Sequence, residues 1–340
     1  MSNNSVMDIP LIRAIIQPMD TGLNVDFKGP NTWSAGTLGD SEWLFAPTPA
    51  CLNEILDLGT YLDQNPLAVE ALLPDEFDLP ECRKLIADAK SALTEGARFA
   101  VIDRLPLDDL SEYATIRVYW LLMSMVARPV AQKQNGTLLF SVQDEGQKFK
   151  PGSGIRPAVT NIEQHFHNDN CFNDAPPEYV SLLCIHPASE GGLSRVISLT
   201  SVHNRIKEKY PELLERLYQP FYFDRQREHL PDDSPYLAQP IFRYDGQLRA
   251  RVSPALVRGG YVVKGHEIDA QGDAALNALL DVLADETLWH ELRLERGQIE
   301  IANNQQTGHS RTSFVDAPTG NKRLLERLWL RDSGKRTYFG

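Results

Sequence analysis

The chain has 340 residues, 42% of them hydrophobic and 24% charged, with a formal net charge of −12. That length supports a sizeable core in one domain or two. The acidic balance speaks against a nucleic-acid partner, which leaves a basic footprint. No apolar run reaches the roughly 18 residues of a membrane span, and the opening Met1-Ser-Asn-Asn-Ser lacks the basic and apolar regions of a leader. Four scattered cysteines without a CxxC pair point to reduced thiols and a cytoplasmic location.

Residues 1–50 are rich in Gly and Pro but carry Trp33 and Trp43, so an ordered arm packed on the body is expected rather than disorder, and it is placed to lean over a pocket. Apolar residues at three- and four-residue spacing predict helix over Pro49–Tyr61 and Leu67–Leu73. Leu79-Pro80-Glu81 opens another helix to about Leu93. Ala97–Asp103 reads as a strand and Asp109–Ala127 as an apolar helix. None of this carries a catalytic cluster, and it reads as a helical layer backing a sheet.

After Pro129 the pattern changes to short apolar runs punctuated by Gly, Pro, Asn and Asp. Strands are expected at Thr137–Val142, at Tyr179–Ile185 as a buried central strand, and at Ser194–Leu199 after a Gly191-Gly192 hairpin turn. Ser201–Tyr218 is helical with Pro211 opening its second piece, and Pro240–Val252 folds back on Asp245-Gly246. Asp269–Leu292 holds a helix at Gly272–Leu283 and a shorter piece. Gln298–Ala302 and Leu324–Leu330 close the series as strands. The sum is a mainly β, α+β chain: a jelly-roll core over residues 131–340 with lid insertions, covered on one face by an N-terminal arm and helical layer over 1–130, in a single domain.

The chemistry gathers on His165-Phe-His-Asn-Asp-Asn-Cys171. His167 and Asp169, one residue apart on extended backbone, point to the same side and form two corners of a metal site. His309 is a distant third corner, and two His plus one carboxylate is the facial ligand set of non-haem Fe(II) oxygenases. Taken alone His-x-Asp is as readily a surface turn of Asn168, Asp169 and Asn170. His165 rivals His167 by the same alternation, and Cys171 is placed to line the same site. Arg323 and Arg327, four apart on a strand, share a face, and arginines in so apolar a run call for buried anionic partners. The plain alternative is a pair of edge arginines bridging surface acids.

Taken together, His167-x-Asp169, Gly191-Gly192-x-Ser194, Asn303-Asn304-x-x-x-x-His309-x-Arg311-Thr312 and Arg323-x-x-x-Arg327 resemble the taurine dioxygenase/TfdA superfamily, with clavaminate synthase as a relative. The likeness runs from about Gln164 to Arg331 in the right order. It implies a double-stranded β-helix, a jelly-roll variant, and an Fe(II)- and 2-oxoglutarate-dependent oxygenase. By position it implies His167, Asp169 and His309 as iron ligands. It implies Arg323, fourteen residues past His309, as the clamp on the distal carboxylate of 2-oxoglutarate. Ser194 stands where the family usually has a threonine helping to hold that co-substrate. Arg327 matches an arginine that in some members meets an acidic group of the substrate.

The expected reaction uses O₂ and 2-oxoglutarate, releases succinate and CO₂, and hydroxylates an unactivated C–H bond of a small polar or carboxylate-bearing molecule. Desaturation or cyclisation is the variant on the same chemistry. A zinc hydrolase would use the same triad with metal-bound water but needs no Arg323 clamp, and a jelly-roll binding protein would need neither. Substrate choice is expected in the N-terminal arm and in loops at Gln143–Val159 and Phe221–Pro240. A homo-oligomer is compatible with the sequence but nothing in it demands one.

Overall fold

In the computed structural model, which describes residues 22–148 and 156–340, the first helices have identifiable starts. Strand β1 (Leu44–Phe45) precedes helix α1 (Pro49–Gln64), where Thr48 Oγ1 accepts from the Cys51 N–H at 3.1 Å and Pro49 occupies the first turn. Helix α2 (Pro80–Thr94), strand β2 (Phe99–Ile102) and helix α3 (Glu112–Val126) follow, α3 capped by Ser111 Oγ on the Ala114 N–H at 3.0 Å. The expected helix at Leu67–Leu73 is absent, and only a 3₁₀ turn forms at Val69–Ala71. Pro66 and Pro74 bracket too short a stretch for helix, because each biases the residue before it to extended backbone.

Strands β3 (Arg128–Val130), β4 (Leu139–Val142), β5 (Gln164–His167), β6 (Tyr179–His186), β7 (Glu190–Gly191) and β8 (Ser194–Ser198) come next. An insertion then supplies helices α4 (Leu199–Lys209) and α5 (Pro211–Leu217) and strands β9 (Phe221–Asp224), β10 (Tyr236–Gln239), β11 (Phe242–Tyr244) and β12 (Leu248–Ala250). Helices α6 (Pro254–Lys264) and α7 (Ala270–Leu283) complete it. The chain ends with β13 (Trp289–Leu292), β14 (Ile299–Asn303), β15 (Thr307–Arg311), β16 (Phe314–Val315) and β17 (Leu324–Arg331). The short piece expected after the Gly272–Leu283 helix is thus strand β13, and Phe221–Pro240 is a hairpin of β9 with β10 rather than an open loop.

The larger sheet runs β1-β2-β14-β6-β17-β3, with β4 also on β17, and the smaller runs β13-β8-β15-β5. Core strands β4, β6, β14 and β17 lie in one sheet and β5, β8, β13 and β15 in the other, so the chain repeatedly crosses between them. That crossing is the jelly-roll arrangement. Between the sheets Phe99, Val101, Cys184, Ala302 and Leu325 from the larger meet Val196 of the smaller. On the outer face of the larger sheet, Leu183, Ile299, Ile301 and Leu328 pack on α1, α2 and α3, with Tyr119 and Trp120 fully enclosed.

Helices cover both outer faces rather than one. Ile197, next to inward-facing Val196, turns outward into a second apolar layer with Leu199, Val202, Leu214, Leu276 and Leu279 from α4, α5 and α7. Adjacent buried apolar residues on one strand require cover on both sides. Gly191-Gly192 is not a hairpin turn, because β6 and β8 sit in different sheets. The pair, at φ 67° and 66°, swings the chain across and lets β7 bridge β16. A Cβ on Gly191 would lie 2.1 Å from the Ser313 carbonyl oxygen.

The described part of the arm packs as expected: Trp33 and Trp43 enter the layer between the sheets, and Trp33 Nε1 donates to the Ala97 carbonyl at 2.8 Å. None of residues 22–47 lines the cavity described below. Residues 1–21 of the arm, and 149–155 of the loop expected to form a lid, lie outside the described residues. Among the described residues no helix is long and apolar enough to cross a membrane.

Candidate metal centre

β5 and β15 are neighbours in the smaller sheet, and their register sets His167 opposite His309, ring centroids 4.3 Å apart. Two residues along β15, Arg311 pairs with Gln164, so His165 and Phe166 of β5 face Ser310 of β15 alone. This bulge breaks the side-chain alternation. Gln164 and His167 both face the cavity, whereas His165 turns outward with 85% of its side chain exposed. His165 is therefore not a rival ligand.

β5 ends at His167 and the chain turns through Asn168–Asn170, Asn170 adopting φ 56°. Two buried asparagines fix that turn. Asn168 accepts from the Val252 N–H at 2.7 Å and donates to the Thr307 carbonyl at 2.7 Å. Asn304 accepts from the Asp169 N–H at 2.8 Å and donates to the Asp169 and Pro177 carbonyls at 2.8 and 3.0 Å. Asp169 is thus held on a turn by neighbouring backbone, rather than on the strand that the His-x-Asp spacing suggests.

Asp169 Oδ1 lies 3.3 Å from His167 Nε2 and 3.7 Å from His309 Nε2. Its Oδ2 accepts from Trp329 Nε1 at 2.7 Å and Arg327 Nη1 at 3.0 Å. One oxygen is anchored by two donors and the other is left for the histidines. His167 Nδ1 donates to the His165 carbonyl at 2.9 Å, which leaves Nε2 as the basic nitrogen, and Gln164 Nε2 donates to it at 2.9 Å. Burial alone would raise the Asp169 carboxyl, but Arg327, His167 and His309 outweigh it and hold it well below its ordinary value. Burial, helped by His167 and opposed by Asp169, lowers His309, which favours its neutral form. Two imidazoles and one carboxylate, with ligand atoms all within 4.8 Å of one another, are a donor set for a divalent transition metal.

The triad opens onto a partly enclosed cavity between the sheets, with Val142, Val180, Leu182 and Leu325 as apolar wall. A more open depression beside Phe45, Asp88 and Glu95 lies on the surface and brings no such ligand set together. Arg323, just before β17, lines the same cavity and is 6% exposed. Its backbone N–H is taken by Asp316 at 2.8 Å, but its Nη1 is buried with no hydrogen-bond partner. Burial lowers this guanidinium to about 10. A buried arginine without an ion pair among the described residues is costly unless an anion arrives, and a guanidinium is suited to holding a carboxylate.

The structure therefore brings all six predicted residues, His167, Asp169, His309, Arg323, Ser194 and Arg327, to one cavity. Arg327 is engaged within the protein, by Nη1 to Asp169 and by Nε to Gln132 at 2.7 Å. Cys171 does not line the cavity. It is buried in the outer apolar layer with Phe172 and Ile197, which pushes its thiol up to about 12. Trp329, Gln164 and Glu300 escape a motif reading, although Trp329 is two residues beyond Arg327 and so on its face.

Comparison with known proteins settles the family. A profile of the "Taurine catabolism dioxygenase TauD, TfdA family" matches residues 62–329. The chain belongs to this family. It is 26% identical over 308 residues to FR-33289 synthase of Streptomyces rubellomurinus, covering 89% of each protein. A second relative, a uridine-5′-phosphate dioxygenase of a Streptomyces species, is 27% identical over 182 residues, 53% of this chain and 66% of that one. Among solved structures, asparagine oxygenase with Fe(II), hydroxyasparagine and succinate superposes at a TM-score of 0.61 and 19% identity, over 85% of this chain and 94% of that one. The oxygenase OrfP with Fe and alpha-ketoglutaric acid gives 0.62 and 15%, over the same 85% and 94%. The last two confirm the fold of this family member.

Proposed function

We propose that this TauD-family dioxygenase binds Fe(II) through His167 Nε2, Asp169 Oδ1 and His309 Nε2 and 2-oxoglutarate through Arg323 with Ser194, and hydroxylates a small polar or carboxylate-bearing molecule. The observation that carries this is one cavity lined both by the His-Asp-His triad and by the buried Arg323, whose Nη1 has no partner among the described residues. Solved neighbours holding Fe with 2-oxoglutarate or succinate support it. With iron and 2-oxoglutarate bound, O₂ is consumed, 2-oxoglutarate becomes succinate and CO₂, and a substrate C–H becomes C–OH.

This chain's own residues do the positioning. Trp329 and Arg327 hold Asp169 Oδ2, so that Oδ1 alone faces the histidines. The His165 carbonyl fixes the tautomer of His167. Val142, Val180 and Leu182 limit water at the reacting centre. Arg327 Nη2 has no protein partner among the described residues, so Arg327 can meet a substrate carboxylate while still gripping Asp169. An asparagine oxygenase, a uridine-5′-phosphate dioxygenase and an OrfP structure holding (3S)-hydroxy-L-Arg among the similar proteins support a substrate among small polar metabolites. A cytoplasmic location fits the four buried free thiols.

The test is succinate formation from 2-oxoglutarate, O₂ and Fe(II) across a panel of small amino acids, carboxylic acids and nucleotides. Substrate-dependent succinate with an oxygenated product, lost in Asp169→Ala, supports the proposal. A metal-dependent hydrolysis without succinate would replace it with the zinc hydrolase.

A further inference from the structure

Glu300 is an acid where the fold calls for an apolar side chain. β14 sends Ile299 and Ile301 outward to the helices and Ala302 inward, so Glu300 points between the sheets, 3% exposed. Among the described residues its one side-chain hydrogen bond is from Ser194 Oγ to Oε2 at 2.5 Å. Its flanking strands β2 and β6 present Val101 and Leu182 in register with it, neither of them charged. The charged group that acts on it is Arg323, which forms no ion pair with it.

This inference rests on Arg323 and Ser194 holding the distal carboxylate of 2-oxoglutarate, as proposed above. Ser194 has one O–H. While it donates to an ionised Glu300 it has none for the co-substrate, and two carboxylates compete for one guanidinium. We propose that Glu300 is a proton-carrying positioning residue for 2-oxoglutarate: protonated, it donates to Ser194 Oγ and frees the serine hydroxyl to donate to the carboxylate that Arg323 holds. The order of donors reverses on binding, and one proton enters with the co-substrate whenever Glu300 starts ionised.

The surrounding charges agree. Burial raises Glu300 to about 7, with the Ser194 hydrogen bond and Arg323 opposing. Around Arg323 stand Cys184, whose thiol is pushed up to about 12 by burial, and Asp316. Arg311 adds positive charge from β15 with Asp144 beside it, but its Nη2 is committed to the Thr160 and Ile162 carbonyls. Together these set the site to change protonation near neutrality.

The experiment is anaerobic calorimetry of 2-oxoglutarate binding to the Fe(II)-loaded full chain, in paired buffers of different ionisation enthalpy, from pH 6 to 8.5. Expected are close to one proton taken up at pH 8, almost none at pH 6, and a Kd rising up to about tenfold per pH unit above 7. Glu300→Gln should bind with a flat pH profile and no uptake. Wild-type binding without uptake at pH 8, or equal uptake in Glu300→Gln, overturns the proposal, and the wild-type measurement requires no variant to fold. Arg323→Ala separates the two ideas. Weak binding by Arg323→Ala at every pH upholds the co-substrate site whatever Glu300 does, whereas unchanged binding by it removes the site and this inference together.

Discussion

Trp329→Phe isolates one hydrogen bond to the ligand carboxylate while keeping most of the ring that fills its place. Trp329 is 5% exposed, and its Nε1 donates to Asp169 Oδ2 at 2.7 Å beside the 3.0 Å bond from Arg327. A hydrogen bond to a charged group contributes about 1.5–3 kcal/mol, and loss of a partner to a metal ligand typically weakens metal binding about 10–100-fold. The two figures agree, because about 1.4 kcal/mol corresponds to tenfold. Anaerobic Fe(II) titration of Trp329→Phe should therefore give a Kd about 10–100 times that of the wild type, at a little-changed Tm. A less than twofold change in a folded variant would refute the view that Oδ2 must be anchored for Oδ1 to serve as ligand.

Other expectations follow from the same geometry. His165→Ala should leave Fe(II) affinity within about twofold, since only its backbone carbonyl touches His167 and its side chain is in solvent; a large loss would place it in the metal shell. Asn304→Ala removes a buried acceptor and two donor contacts at the Asp169 turn and should lower unfolding stability by about 2 kcal/mol or more, measured by denaturant titration. Glu300 is raised when folded, so the stability linked to its proton is present below the ordinary carboxylate range and lost as pH rises through about 7. Glu300→Gln should then gain Tm relative to wild type at pH 8 but not at pH 5, by scanning calorimetry of the apoprotein.

Much of this was legible because strand periodicity and motif spacing are local properties. β6, β8, β14 and β17 carry apolar runs bounded by turn residues, and four separated motifs fall in family order. What was not legible depends on pairing. Whether His165 or His167 faces inward is decided by a bulge against β15, which no reading of one strand contains. That β8 needs a second helical layer follows from Val196 and Ile197 facing opposite sides, an adjacency visible in sequence but without a partner there. Glu300 looks like the polar half of an alternating strand, and only the outward burial of Ile299 and Ile301 shows that it faces the core.

The central claim is that the His167, Asp169, His309 and Arg323 cavity takes iron and 2-oxoglutarate together. Anaerobic addition of Fe(II) and then 2-oxoglutarate should produce the visible charge-transfer band of the chelate. The band should be absent in Asp169→Ala and should need much higher 2-oxoglutarate in Arg323→Ala. No band in folded wild-type protein saturated with both would contradict the account.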